Sequence, residues 1–235
     1  MIILTTTYNC EKYIERCLLS IMSQNFKDFT CYITDDMSTD KTVDVVKKTI
    51  QGDDRFILIE HHCKFHQPGN YDQVIRFRAI DGDKICVEVD GDDWLPNPNV
   101  LKNINQVYQD PDVWMTSGSF KYHDGRPGFA NPPTNTDVRK QTFTLSHMRT
   151  WKAWLWKKIE IEDLKDENGN YWEVAGDLAF MFPMFEMCGL EHYRFLPDIN
   201  YIYNESNPIN DHKVNMSKVV QTVNKIRNKK PYSKL

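Results

Sequence analysis

The sequence has no long apolar run, since no stretch approaches the ~18 apolar residues that a membrane-spanning helix needs. Its first residues, MIILTTTYN, contain no basic segment and no apolar stretch of signal-peptide length. Basic residues are not in excess either, because the formal net charge is −4 over 235 residues. We therefore expect a cytoplasmic protein that has no nucleic-acid partner.

The sequence also lacks the pattern of a disulfide framework. Its six cysteines are scattered, and several fall within apolar patterns, which predicts reduced core thiols. The segment EHHCKFH at 60–66 combines three histidines with a cysteine. Its spacing fits no tetrahedral zinc site, and His61 and His62 on a strand would point to opposite faces. We expect no structural zinc at this segment.

What the first ninety residues do contain is an alternation of strands and helices. Short apolar runs predict strands at 2–7, 30–34, 55–61 and 84–89. Helical spacing predicts a first helix at 11–24, a second that starts after a cap at Thr39 or Asp40, and a third from Asn70 onward. Because the links are short, this order favours an α/β fold with a mostly parallel central sheet and helices on both faces.

Polar side chains follow three of the predicted strands at the point where each strand ends. They are Thr6 to Asn9, the pair Asp35 and Asp36, and the cluster from Asp90 to Asp93. Ligands of parallel α/β sheets bind outside the carboxyl ends of the strands. The sequence therefore predicts that the three groups converge on one crevice.

The first strand–helix turn, TTTYNCEKY, has no glycine. It therefore lacks the glycine-rich backbone that holds phosphate in dinucleotide-binding folds and P-loops. The segment DGDDWLPNP offers three aspartates. At ~4 Å each pair of them repels by ~1 to 4 kcal/mol, and a bound divalent cation would relieve this repulsion. Oxygen ligands favour Mg²⁺ or Mn²⁺. The alternative is a simple turn, since Asp, Gly, Asn and Pro all favour turns.

Taken together, these blocks resemble family 2 of the glycosyltransferases, which has the GT-A (Rossmann-like) fold. The matching positions are the Tyr8-Asn9 turn, Ser20 and Gln24 at a helix end, Asp35-Asp36-x-Ser38-x-Asp40, and the Asp-x-Asp motif at Asp90 and Asp92. The later stretches NVLKNINQVYQDPDVWMTSGSF, AGDLAFMFPMFEMCG and YIYNESNPINDHK look like a branch found in bacteria, phages and large viruses. The resemblance thus spans almost the whole chain.

The resemblance implies a nucleotide site in the first half of the chain. Thr6, Tyr8 and Asp36 would line the nucleoside pocket, with Asp36 accepting a hydrogen bond from the base. Asp90 would lie near the ribose and the metal, and Asp92 would be the direct metal ligand. Further candidate contacts to donor or acceptor are Asp93 as a helper at the metal, Trp94, His147, Arg149 and His212.

Sugar transfer also needs a base that takes the proton of the acceptor hydroxyl, and a carboxylate is sufficient. The family places it in a Glu-Asp pair at a helix start, whereas AGDLAF has Gly176 in place of the glutamate. The resemblance therefore implies Asp177 as the general base. The alternative is a helix N-cap, a common role of aspartate before helix-forming residues, and the two roles are compatible.

The segment SHMRTWKAWLWKKI at 146–159 predicts a helix that carries three tryptophans, Trp151, Trp154 and Trp156. These rings could stack on sugars, but their spacing favours the core for at least two of them. His147 and Arg149 in this segment could contact the diphosphate or the acceptor. His212, which follows NPIND, could reach the metal or the diphosphate, with a plain surface position as the alternative.

The last residues form a basic segment. After Asp211 there are seven basic residues and no acidic one, and valines and an isoleucine recur at roughly helical spacing. Such a helix can lie on an anionic membrane, which would suit a lipid-linked acceptor. The alternative, which we favour, is a terminal helix docked on the domain with a solvated outer face.

The sequence thus predicts one GT-A domain over 1–235, with a nucleotide-sugar half at 1–95, an acceptor and catalytic half at 96–210, and the basic segment at 211–235. The expected activity is inverting, metal-dependent transfer from a nucleotide sugar, with UDP favoured, to a hydroxyl of a glycan, lipid-linked or protein acceptor. Mn²⁺ or Mg²⁺ is the expected cofactor. A sugar-nucleotide pyrophosphorylase would need a glycine-rich, lysine-bearing loop instead of TTTYNCEKY. A non-catalytic sugar- or nucleotide-binding module is the other alternative, supported by Gly176.

Overall fold

The computed structural model describes residues 1–78, 80–214 and 216–235, without the side chains of Asp211 and His212. Its strands are β1 Ile2–Thr7, β2 Thr30–Asp35, β3 Phe56–Glu60, β4 Ile85–Glu88, β5 Met115–Tyr122, β6 Thr150–Lys152 and β7 Tyr193–Tyr203. Its helices are α1 Ile14–Met22, α2 Thr42–Thr49, α3 His66–Phe77, α4 Val100–Val107, α5 Ala153–Lys157, α6 Gly176–Cys188, α7 Asp211–Val214 and α8 Met216–Arg227, with a 3₁₀ helix at Ile161–Leu164.

The strands form one seven-stranded sheet in the order β3-β2-β1-β4-β6-β5-β7. β1 pairs in parallel with β2 and β4, β2 with β3, and β5 with β7. Only β6 runs antiparallel to its neighbours, β4 and β5. The predicted mostly parallel sheet is therefore confirmed.

Side chains that alternate along the strands build one apolar core on each face of the sheet. Ile2 and Leu4 of β1 pack in the core that α3, α5 and α6 cover. Ile3 packs in the opposite core, which α1, α2 and α4 cover. A strand that is buried on both faces carries apolar residues at consecutive positions, as Ile2, Ile3 and Leu4 do. The prediction of helices on both faces is also confirmed.

The predicted helix over 146–159 is wrong in its first half. Thr150 to Lys152 form β6, inserted between β4 and β5, and the helix starts only at Ala153. Trp151 pairs with Cys86 on one side and Met115 on the other, so tertiary strand pairing overrides the local helical spacing. Trp151 and Trp156 are fully buried, which confirms their predicted place in the core.

Helix α3 begins at His66, four residues before the predicted start at Asn70. The carboxylate of Asp36, the residue directly after β2, accepts the backbone N–H groups of Phe65 at 2.8 Å and His66 at 3.1 Å. This helix start is therefore stabilised by a side chain that is distant in sequence, which local cap signals do not reveal.

The basic segment includes helix α8, which docks on the domain. Val219 and Ile226 are buried, and Lys218 and Lys225 form ion pairs with Glu173 and Glu167. The favoured docked arrangement agrees with the structure, while contact with a membrane stays a prediction. Within the described residues, every helix is too short or too polar to cross a bilayer.

Candidate active site

The ends of β1, β2 and β4 meet at one edge of the sheet, as predicted. The Asp36 amide donates to the Thr7 carbonyl oxygen at 2.9 Å, and the Gly91 amide donates to that of Thr6, also at 2.9 Å. A Cβ atom on Gly91 would lie 2.9 Å from the Thr6 oxygen, so only glycine allows this approach. The Thr6 hydroxyl is 3.5 Å from the Asp90 carboxylate.

The turn after β1 is fixed by the loop after β2. Asn9, with a φ of 47°, donates its amide to the Ser38 hydroxyl at 2.9 Å, and its side-chain oxygen accepts the Thr39 amide at 2.7 Å. Asp35 in turn accepts both the amide and the hydroxyl of Ser38. The Asp-Asp-x-Ser element therefore holds the glycine-free turn in place.

Tyr8 and Asp36, the residues expected at the nucleoside, have contrasting surroundings. The Tyr8 side chain is 41% exposed, and the Lys64 ammonium lies 3.1 Å from its ring centroid. Asp36 is buried, and both carboxylate oxygens accept backbone N–H groups at the start of α3. Each oxygen keeps a further lone pair for a ligand. The structure thus places an accessible aromatic ring after β1 and a rigidly held carboxylate after β2.

The aspartates after β4 differ in their partners. Asp92 accepts a hydrogen bond from the Asn207 side-chain amide at 2.8 Å. Asp93 is buried and accepts the backbone amide of Asn204 at 2.6 Å, so it attaches the chain after β7 to this motif. Burial, together with Asp92 and Asp90, raises the pKa of Asp93 well above its usual range. Asp92 is therefore better placed than Asp93 to serve as a ligand.

Trp94 and His212 complete the set of predicted contacts near this motif. The Trp94 ring is buried and stacks against the Arg16 guanidinium, whose carbon lies 3.4 Å from the ring centroid. The Trp94 backbone also exchanges hydrogen bonds with Ile202 of β7. The predicted contact of the His212 side chain falls outside the described residues.

Arg149 connects the predicted base to β4. Its Nη2 donates to Asp177 Oδ2 at 2.8 Å and its Nη1 donates to Glu88 Oε1 at 2.6 Å. Its Nε donates to the Leu145 carbonyl oxygen at 3.0 Å, so the buried guanidinium is held on three sides. Because a charged hydrogen bond of this length is directional, Arg149 fixes the orientation of the Asp177 carboxylate.

Asp177 is not the N-cap of α6. The cap position is Ala175, with a φ of 54° and no side-chain cap bond, and Asp177 lies in the first turn. A negative charge in the first turn interacts favourably with the helix dipole. Its Oδ1 accepts the Leu178 amide at 3.0 Å, and its side chain is 23% exposed. The carboxylate is thus reachable from solvent.

Gln67 extends these bonds to Asp90 of the predicted metal motif. Its side-chain amide donates to Glu88 Oε1 at 3.0 Å and to Asp90 Oδ1 at 3.4 Å. A continuous series of hydrogen bonds therefore runs from Asp177 through Arg149, Glu88 and Gln67 to Asp90.

The next group along the cleft contains His147. The structure brings ligand atoms of Glu88, Asp90 and His147 within 4.8 Å of one another, the one such group of three among the described residues. The His147 ring is buried and stacks on Tyr201 at a centroid distance of 4.3 Å. Burial and the charge of Arg149 lower the pKa of His147 well below its usual value.

This crowding of carboxylates fits a divalent cation. Burial raises the pKa of Glu88 to about 8, and burial together with Asp92 raises that of Asp90 to about 6. These groups resist carrying their charges together, and a cation among them favours the ionised forms. Carboxylate oxygens are also the ligands that Mg²⁺ and Mn²⁺ prefer. Of the two predicted metal ligands, Asp90 belongs to the converging group, whereas Asp92 is not part of it and accepts a hydrogen bond from Asn207.

Sequence reasoning missed three residues of the site. They are Glu88, Gln67 and Asn207. Glu88 had a signal, because a glutamate inside the apolar strand ICVEV needs a buried partner. Gln67 and Asn207 had no such signal in the sequence. Asn207, for example, donates a hydrogen bond to Asp92, which is 115 residues away along the chain.

The structure thus combines a mostly parallel sheet, covered by helices on both faces, with a cluster of carboxylates at the carboxyl ends of its strands. The family model described as glycosyl transferase family 2 matches residues 2–181. The chain therefore belongs to glycosyl transferase family 2, as the sequence motifs indicated.

Relatives and solved structures agree with this assignment. An uncharacterized glycosyltransferase of Haemophilus influenzae is 29% identical over 126 residues, covering 52% of this chain and 47% of that protein. The crystal structure of S. aureus TarS has a TM-score of 0.65 at 22% identity and covers 88% of this chain and 37% of TarS. This chain spans less than half the length of both proteins.

A second similar structure holds ligands. Glucosyl-3-phosphoglycerate synthase from Mycobacterium tuberculosis, solved with Mn²⁺, UDP and glucosyl-3-phosphoglycerate, has a TM-score of 0.64 at 14% identity. The match covers 96% of this chain and 78% of that one. At this level of identity the likeness concerns the fold, which is the expected GT-A fold.

Proposed function

We propose that this chain binds a nucleotide sugar together with a divalent cation and transfers the sugar to an acceptor hydroxyl with inversion. The observation that carries the proposal is the hydrogen-bonded series from Asp177 through Arg149 and Glu88 to Asp90, because it unites a candidate base and a candidate metal motif in one cleft. UDP is the favoured nucleotide, since the Mycobacterium structure of the same fold contains UDP and Mn²⁺.

The donor would lie along the carboxyl edge of the sheet. Tyr8 offers its exposed ring to the base, and Asp36 offers a carboxylate held by two backbone amides. Asp90 and Asp92 would hold the cation, which when bound stabilises the charge of the leaving diphosphate. Asn207 keeps the Asp92 carboxylate in one orientation.

Asp177 would act on the acceptor. Its Oδ2 is held by Arg149, so the carboxylate presents a fixed direction to an incoming hydroxyl. Taking the hydroxyl proton leaves an oxygen nucleophile that attacks the anomeric carbon. Because the attack is a single displacement from the face opposite the diphosphate, the anomeric configuration inverts.

The second candidate function is a non-catalytic nucleotide-sugar-binding module on the same fold. Gly176 favours it, because the family carries a glutamate at this position beside the base. The presence of Asp177, held on Arg149, favours the enzyme. The acceptor class, whether glycan, lipid-linked or protein, is left open by both candidates.

A donor screen followed by a matched pair of variants tests the proposal. We expect one nucleotide sugar to raise the melting temperature in the presence of Mn²⁺ but not of chelator, because a ligand of the folded state stabilises it by mass action. We then expect Asp177→Asn to keep that shift and to lower release of UDP from the donor by ~100-fold or more. Asp198→Asn, at an exposed position on β7, is the control.

The outcomes separate the candidates. A donor shift without any UDP release by the unaltered protein would establish the binding module. Normal turnover by Asp177→Asn would remove Asp177 as the base. No shift with any nucleotide sugar would contradict donor binding altogether.

A further inference from the structure

We infer that His147 is a nitrogen ligand of the divalent cation, beside Asp90 and the free oxygen of Glu88. This inference rests on the proposed metal-dependent function and adds two residues, His147 and Glu88, to the site proposed for Asp90 and Asp92. It also predicts a cation preference, because an imidazole ligand shifts a site made of oxygens away from Mg²⁺ and towards Mn²⁺.

The geometry brings the three donors together from two parts of the chain. Glu88 and Asp90 are two positions apart, and at that spacing side chains of an extended segment point to the same side. His147 enters from the segment before β6, and its ligand atom lies within 4.8 Å of the carboxylate oxygens. The three ligand atoms are thus close enough together for one cation to contact them after small side-chain shifts.

Two of these side chains have buried polar atoms that remain unpartnered. Within the described residues, His147 Nδ1 and Glu88 Oε2 are buried and make no hydrogen bond. The residues are 6% and 0% exposed. A buried polar atom without a partner is unfavourable, and native proteins contain few of them. A cation bound between His147 and Glu88 would give these buried atoms an interaction partner.

The surroundings of His147 are those of a fixed ligand. The ring packs between Tyr201, stacked at 4.3 Å, and Phe120, edge-on at 5.9 Å. The Tyr201 hydroxyl accepts the backbone amide of Asp90 at 3.0 Å. Tyr201 therefore holds both His147 and Asp90, which preorganises two of the three donors.

Electron paramagnetic resonance on the Mn²⁺-loaded protein, with and without UDP, tests the inference directly. We expect electron spin echo modulation from a coupled ¹⁴N nucleus in the unaltered protein. His147→Gln should abolish this coupling and weaken Mn²⁺ binding at least tenfold, while Mg²⁺ binding falls less. His192→Gln is the matched control, because His192 is not part of the Glu88, Asp90 and His147 cluster and its Nδ1 lies 2.8 Å from the Asp112 backbone oxygen.

Bound Mn²⁺ without nitrogen coupling would overturn the inference and leave the proposed metal dependence intact. Absence of any Mn²⁺ binding would overturn both. If His147→Gln does not fold, His212→Gln decides: a retained nitrogen coupling supports His147, and a lost coupling assigns the ligand to His212 and overturns the inference.

Discussion

Replacing Gly176 with alanine tests the packing that supports the site. A Cβ atom at Gly176 would lie 2.6 Å from Pro68 Cδ and 3.1 Å from Pro68 Cγ. The pyrrolidine ring is rigid, so the start of α3 or of α6 would have to move by nearly 1 Å to restore an ordinary contact. Pro68 follows Gln67, whose amide contacts Glu88 and Asp90. The strain would therefore reach Asp90 of the proposed metal site.

Two opposing effects set the magnitude. Alanine exceeds glycine in helix propensity by up to ~1 kcal/mol, and by less at the first position of a helix. Overpacking costs about 1–3 kcal/mol. We expect Gly176→Ala to lower the free energy of unfolding by about 1–2 kcal/mol and the melting temperature by roughly 2–8 °C. The same clash explains why a glutamate at this position is incompatible with Pro68.

Urea unfolding of a double-mutant cycle provides the assay. Pro68→Ala removes the clashing ring atoms, so Gly176→Ala should cost less in that background, with a coupling of about 1 kcal/mol or more. Mn²⁺ affinity should fall in Gly176→Ala and recover in the double variant. A Gly176→Ala protein as stable as the original, or a cycle without coupling, would refute the reasoning.

Two further predictions concern the proposed metal site and the buried ion pair between Arg139 and Glu186 of α6. Asn207→Ala should weaken Mn²⁺ binding ~10- to 100-fold in calorimetry, because Asp92 loses the amide that orients it. If Asn207→Ala bound Mn²⁺ as tightly as the exposed control variant Asn224→Ala, this prediction would be contradicted. Arg139→Met should lower the free energy of unfolding by ~3–5 kcal/mol in urea, because it leaves Glu186 buried without its bidentate partner. A loss no larger than that of the exposed control Arg78→Met would contradict the second prediction.

The sequence predicted the first half of the fold well because its signals are local. Apolar runs and helical spacing located β1, β2, β3 and β4, with boundaries off by a residue or so. The start of α3 escaped because Asp36 creates it from thirty residues away. Strand β6 escaped because its three residues become a strand only through pairing with β4 and β5.

The site was predictable where motifs are local and not where contacts are long-range. Asp90 and Asp92 stand in one motif directly after β4, as the sequence places them, and their predicted role at the metal stays a prediction. Asp93, in the same motif, accepts a hydrogen bond from the backbone amide of Asn204, which is 111 residues away along the chain. The link from Arg149 to both Glu88 and Asp177 depends on how β4, the segment before β6 and α6 come together, which no spacing in the sequence encodes.

The central claim is that the cleft binds a nucleotide through a cation held by the aspartates after β4. Calorimetric titration of UDP into the protein with Mn²⁺, into the protein with chelator, and into Asp92→Ala with Mn²⁺ tests it most directly. The account predicts that UDP binds in the first titration and at least about tenfold more weakly in the other two. Equal affinity in all three would contradict it.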